Sequence, residues 1–136
     1  MRVRRGTPQD SDAIAAFDCF GGDRPAALEA GRCLVAEIDG RVAGFVVYAK
    51  HGLIGRDFVE YLVVHETFRR RGVAAMLLDA VGERVGPGRL FISTESGNTP
   101  MRTLLAKQGW TPAGHLSGAN RSGCDELFFY RDVSGA

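Results

Sequence analysis

The stretch from Phe58 to Val85, FVEYLVVHETFRRRGVAAMLLDAVGERV, constrains the fold more than any other part of the chain. Its first part is an apolar, β-rich run carrying one charge, Glu60, and predicts a buried strand. A short loop, HETF, leads into a helix. There Val73, Met76, Leu77, Ala80 and Val81 recur at helical spacing as one apolar stripe, with Asp79 and Glu83 on the wet side. Gly-Pro-Gly at 86 to 88 stops that helix, and LFIST at 90 to 94 reads as the next strand. The unit is therefore strand–helix–strand. Gly72 and Ala74 keep the first helical turn narrow, so a ligand can approach the backbone there. The unpaired N–H groups of a helix start attract anions, the helix dipole adds to this, and Arg69, Arg70 and Arg71 stand beside it. A diphosphate fits such a place.

The rest of the chain falls into shorter elements. RVRR (2 to 5) predicts a strand. Thr7, Pro8 and Asp10 mark a helix start close to a capping box, with Ile14, Phe17 and Phe20 pointing inward and Gly21-Gly22 ending the helix. Residues 24 to 31 read as a second short helix or loop. CLVAEI and VAGFVVYA form a hairpin around Asp39-Gly40, a pair suited to a type I′ turn because both central residues need positive φ. Gly52 and Gly55 break the chain after it. Further on, Asn98 caps a helix whose inner face is Met101, Leu104 and Leu105, and Gly109 ends it in a left-handed conformation. Two last strands, near 110 to 116 and 126 to 131, enclose the polar loop SGANRSGCD. An antiparallel hairpin running into a strand–helix–strand unit predicts an α/β (α+β) chain with a mixed, mostly antiparallel sheet of about six to seven strands flanked by about four helices.

Composition narrows the function. A chain of 136 residues suits one domain, 1 to 136, and 45% apolar against 24% charged residues is a globular balance. With 17 basic and 16 acidic side chains the net charge is only +1, which argues against a nucleic-acid partner despite the RRR cluster. Cys19, Cys33 and Cys124 are scattered, as are His51, His65 and His115, so neither a disulfide framework nor a metal site is expected. The N-terminus has charges but no apolar stretch behind them, and no run of about 18 apolar residues occurs. A cytoplasmic protein with no membrane partner is expected. Neither the P-loop pattern nor the dinucleotide-binding glycine pattern is present.

These features resemble the GNAT superfamily of N-acetyltransferases. Its coenzyme A motif, Gln/Arg-x-x-Gly-x-Gly/Ala, is matched by Arg69-Arg70-Arg71-Gly72-Val73-Ala74, and its lead-in by VEYLVVHETF. A second motif, near Asn-x-x-Ala-x-x-Leu-Tyr-x-Lys-x-Gly-Phe, is answered by NTPMRTLLAKQGW: Asn98, Leu104, Lys107 and Gly109 match, and Trp110 replaces Phe. The resemblance spans nearly the whole chain. It implies acetyl-CoA as acyl donor and an amine, either a small molecule or a protein amino group, as acceptor. It also implies direct transfer in a ternary complex, by a monomer or homodimer. The diphosphate contacts it implies fall on Arg69, Arg70, Arg71, Gly72, Val73, Ala74 and Ala75. The pantetheine arm would run beside Leu62, Val63 and Val64, with the Val63 amide polarising the thioester carbonyl, and Asn98 would touch the coenzyme.

Transfer to an amine requires the amine unprotonated. Glu60, the lone charge in an apolar run, is the candidate base, with burial expected to raise its pKa. Relatives often place a tyrosine at position 105 to protonate the leaving thiolate; this chain has Leu105. Tyr61 and Tyr130 are the aromatic alternatives, and Cys124 would suit a covalent acyl-enzyme. Leu105 keeps open a second reading, a GNAT-like module that binds acyl-CoA without turning it over. Glu60 and Glu95 would suit a cationic acceptor.

Overall fold

In the computed structural model, residues 1–20 and 24–134 are described. Seven strands form one mixed sheet: β1 (Arg2–Arg5), β2 (Cys33–Ile38), β3 (Arg41–Leu53), β4 (Arg56–Val64), β5 (Gly88–Glu95), β6 (Thr111–Leu116) and β7 (Glu126–Val133). Their order is β1-β2-β3-β4-β5-β7-β6. β4 and β5 run parallel, Asp57 to Val59 beside Leu90 to Ile92, while β1–β2, β2–β3, β5–β7 and β6–β7 are antiparallel. The helices are α1 (Ser11–Ala15), α2 (Arg24–Ala30), α3 (Val73–Val85) and α4 (Thr99–Lys107). None of the helices among the described residues is long and apolar enough to cross a membrane.

The chain divides into two compact units, Met1–Ala49 with Glu60–Arg84, and Lys50–Val59 with Val85–Ala136. In the first, Ile14, Ala27, Leu28, Cys33, Val35, Phe45, Val47 and Val63 form a buried cluster. Each large aliphatic side chain so enclosed contributes about 1.5–3 kcal/mol. The buried side chains of the second unit include Val59, Leu90, Ile92, Leu105 and Trp110.

Several local signals hold. Asp39 and Gly40 both take positive φ, 51° and 75°, as a type I′ turn requires. Asp10 accepts the Thr7 amide at 2.8 Å and caps the turn that begins at Pro8. Asn98 Oδ1 accepts from the Met101 amide at 3.2 Å, and Gly109 is left-handed at φ 76°.

Others do not. α1 stops at Ala15, ahead of the glycine pair that was expected to end it, and Gly21-Gly22 lies outside the described residues. Phe20 points outward, half exposed. β3 runs through Gly52 to Leu53, because a left-handed residue at His51 (φ 57°) absorbs the irregularity. His51 Nδ1 lies 2.9 Å from the Gly55 carbonyl oxygen and its amide donates to Asp57, so the end of the hairpin is held by its own side chains. The turn at Ile54-Gly55 then starts β4. Burial on α3 extends past the expected stripe to Leu78 and Val85.

Candidate active site

β4 ends at Val64, and residues 65 to 72 turn the chain into α3. The His65 amide donates to the Ala43 carbonyl of β3 at 2.8 Å. Phe68 donates its amide to the His65 carbonyl and buries its ring, which anchors the turn. Two guanidinium groups stand over that ring, Arg41 at 4.9 Å and Arg71 at 5.5 Å from Cζ to centroid. Arg41 was not foreseen as a neighbour of the turn. Nothing in the spacing of residues 41 and 71 signals it, since strand pairing alone brings them to one ring.

Arg70 (φ 65°) and Gly72 (φ 77°) are both left-handed, which bends the backbone sharply before the helix. The first bond of α3 runs from the Met76 amide to the Gly72 carbonyl, 3.1 Å. Gly72 has no side chain to cap the helix, and among the described residues no hydrogen bond reaches the amides of Val73 or Ala74. Arg69, Arg70 and Arg71 are exposed, and among the described residues none of the three is in an ion pair. Arg69 Nε donates to the Val64 carbonyl at 3.3 Å, which ties the turn back to the strand. Open amides, a helix dipole and three guanidinium groups on one short segment are chemistry that could hold an anion.

The direction of the peptides in β4 corrects one expectation. Backbone N–H groups alternate between the two edges of a strand. The His65 amide faces β3, so the Val63 amide faces β3 as well. Consistent with this, the Val63 carbonyl oxygen lies 2.9 Å from where a Cβ on Gly44 of β3 would stand. The amides that face the other edge are those of Leu62 and Val64. Val63 itself is a core residue, 5% exposed.

Glu60 is also placed differently from the expectation. Its side chain is 37% exposed, not buried, and Oε1 lies 3.3 Å from Nη1 of Arg32, which also donates to the Tyr48 carbonyl at 2.9 Å. Alternation on β4 turns Glu60 outward while Val59 and Val63 turn in. The carboxylate remains accessible. Nearby in the same unit, Arg24 is 7% exposed and ion-paired to Asp18, Nε to Oδ2 2.8 Å, with its Cζ 3.8 Å from the Tyr61 ring centroid. Phe20 meets the same tyrosine at 5.5 Å. A buried charged pair joining the segment after α1 to the start of α2 was not anticipated.

In the second unit, Asn98 is exposed at the start of α4. Leu105 is fully buried, so the position where the resemblance implies a tyrosine is a core position here. Tyr130 is half-buried with Arg89 stacked on it at 3.9 Å. Cys124 is half-buried and close to Gly97. Glu95 and Glu126 are direct partners across β5 and β7. Ser122 donates to Glu95, whereas Ser93 (2.7 Å) and Asn120 (3.0 Å) donate to Glu126. Among the described residues no group of three His, Cys, Asp or Glu could hold a metal ion.

Sheet order and turn together mark an α/β protein with a helix start left open to a ligand. The chain belongs to the Acetyltransferase (GNAT) family, which it matches over residues 5–110. A mycothiol acetyltransferase from Kineococcus radiotolerans is 41% identical over 87 residues, 61% of this chain and 28% of that protein, so the chain spans 28% of that curated relative's length. A GNAT-family acetyltransferase structure from Bacillus cereus superposes with a TM-score of 0.86 at 25% identity, covering 96% of each chain. The Salmonella typhimurium yncA structure with its cofactor acetyl-CoA has a TM-score of 0.82 at 20% identity over 100% of this chain and 95% of that one, a likeness of fold.

Proposed function

We propose that this chain is an acetyl-CoA-dependent N-acetyltransferase acting on an amine. The observation that carries the reading is the open start of α3: uncapped amides behind Gly72, flanked by Arg69, Arg70 and Arg71. Those groups suit the coenzyme's diphosphate, held by the amides of Val73 and Ala74 and by guanidinium charge. When bound, the coenzyme supplies an acyl thioester. With the diphosphate held at α3, the Val64 and Leu62 amides on the free edge of β4 would be placed to receive the pantetheine arm. Leu62 is therefore the donor to the thioester carbonyl in this reading, in place of Val63. One such donor aimed at developing negative charge is worth about 3–4 kcal/mol. Asn98 serves as a further coenzyme contact.

Glu60 lies two residues before Leu62 and accepts a proton from the incoming amine, directly or through one water. General-base assistance of this kind contributes about 100-fold to 10,000-fold. Arg32 holds the carboxylate in place. With Leu105 buried, no tyrosine at that position protonates the leaving sulfur. A thiol of pKa about 8.5 leaves tolerably as thiolate near neutral pH.

Full burial of Leu105 favours one competing reading, an acyl-CoA-binding module without turnover. Release of free thiol from acetyl-CoA, measured across a panel of peptide N-termini, lysine peptides, polyamines and small amino compounds, separates the two. The panel includes the amine precursor of mycothiol because of the relative from Kineococcus. Amine-dependent thiol release that drops about 100-fold in Glu60→Gln is the expected result. Tight coenzyme binding with no release above the spontaneous rate on any acceptor would establish the module instead.

A further inference from the structure

We propose that Gly44 is a positioning residue of the coenzyme site, setting the gap between the β4 amides and the start of α3; this rests on the reading of that site above. Gly44 lies in β3, paired with Ala36, distant in sequence from every residue of the coenzyme motif. Its φ is not left-handed, so backbone conformation does not demand glycine there. Space does. A Cβ at this position would stand 2.9 Å from the Val63 carbonyl oxygen, 3.0 Å from Val73 Cγ1 and 3.3 Å from Leu77 Cδ1. The first contact is rigid backbone. The other two are the opening residues of the inner face of α3, both buried.

One missing methyl thus touches both halves of the site. The Val63 carbonyl belongs to the same planar peptide as the Val64 amide, so pushing the oxygen tilts the N–H at the opposite end. That amide faces the coenzyme side of β4. Val73 carries one of the uncapped amides of the helix start, so pushing its side chain displaces the diphosphate seat. Close-packed interiors transmit such displacements rather than absorb them. Gly44 acts through Val63 and Val73, without touching the ligand.

Calorimetric titration of coenzyme A into the whole chain tests this, with Gly6→Ala as the control. Gly6 is equally crowded, its Cβ position lying 2.8 Å from Leu28 Cδ2 and 3.1 Å from the Cys33 carbonyl oxygen, but it meets neither β4 nor α3. At a temperature where both variants are folded by circular dichroism, Gly44→Ala should weaken binding about tenfold or more, since overpacking forces backbone shifts in the groups that would hold the coenzyme. Gly6→Ala should leave affinity within about twofold of wild type while lowering the melting temperature. A folded Gly44→Ala variant with wild-type affinity, or a Gly6→Ala variant weakened as much, overturns the inference. If Gly44→Ala does not fold, Val73→Ile pushes the same seam from the helix side. Weakened binding in it supports the proposal, and unchanged binding overturns it. Failure of the wild-type chain to bind coenzyme A would sink the functional reading itself, a result distinct from wild-type binding that ignores the methyl.

Discussion

The guanidinium carbon of Arg24 lies 3.8 Å from the centroid of the Tyr61 ring, while its Nε reaches Asp18 at 2.8 Å. Both charged side chains are about nine-tenths buried, at 8% and 10% exposure. A charge in such surroundings is tolerable only while its partner remains. Replacing either one with alanine should cost about 3–5 kcal/mol in urea denaturation, because the change breaks a buried ion pair. Replacing both, Arg24→Met with Asp18→Ala, should cost less than the sum of the single changes. A loss below about 1 kcal/mol in both single variants would show that solvent reaches the pair.

Ile54 sits at the tip of the β3–β4 hairpin with φ 48° and 95% of its surface exposed. A β-branched side chain is a poor occupant of left-handed backbone, and this one makes no compensating burial. Ile54→Gly should raise stability by about 1 kcal/mol, read as a higher melting temperature, and Ile54→Asn should do so in part. No gain in either variant would mean the turn bears no strain.

The Arg4 guanidinium bonds both carboxylate oxygens of Asp10 at 2.8 Å and holds that carboxyl below its ordinary value. A carboxyl lowered on folding contributes stability that is complete above its unfolded pKa, near 3.9 on model peptides, and is lost as pH falls through the lower folded value. Wild type should therefore lose stability below about pH 4 more steeply than Asp10→Asn. Identical acid limbs for the two proteins would count against this. Asp10→Asn should also be the less stable of the pair at pH 7.

Burial drives the Cys33 thiol up to about 12, and the residue has no exposed surface. Cys19 is exposed. Disulfide-exchange reagents near pH 8 should label Cys19 quickly, while Cys33 reacts only after denaturation, because the thiolate is the attacking species. Peptide mapping after brief exposure distinguishes the sites. Early labelling of Cys33 would mean that the first unit opens readily.

Exposed charges around an anion site are screened by salt, with a Debye length of about 10 Å at 0.1 M. Coenzyme A affinity should therefore weaken as salt rises, and Arg71→Ala should show both weaker binding and a shallower salt slope. Salt-independent affinity would place binding on the backbone amides alone.

Where a signal lies within a few residues of its effect, the chain announces it. Asp39-Gly40, Asn98, Gly109 and the capping acid Asp10 act on backbone three or four positions away, and each takes its expected place. The helix stripe through Val73, Leu77 and Val81 is similarly local. Less legible was the end of α1, where a short helix stops without a glycine, and the passage of β3 through Gly52, where a left-handed His51 held by Gly55 and Asp57 keeps the hairpin paired. Glu60 misled because an apolar run alone does not say which alternate residues face inward. Arg32, across the sheet, supplies the missing information.

Family membership, the turn from Arg69 to Gly72 and the helix it opens were determined by sequence alone, since backbone angles and helix periodicity arise from neighbours along the chain. Tertiary structure decided which peptide edge of β4 faces away from β3, which atoms crowd Gly44, and that Arg41 and Arg24 find the rings of Phe68 and Tyr61. These are contacts between residues far apart in the chain, and they exist only once strand pairing has set a register that no local preference encodes.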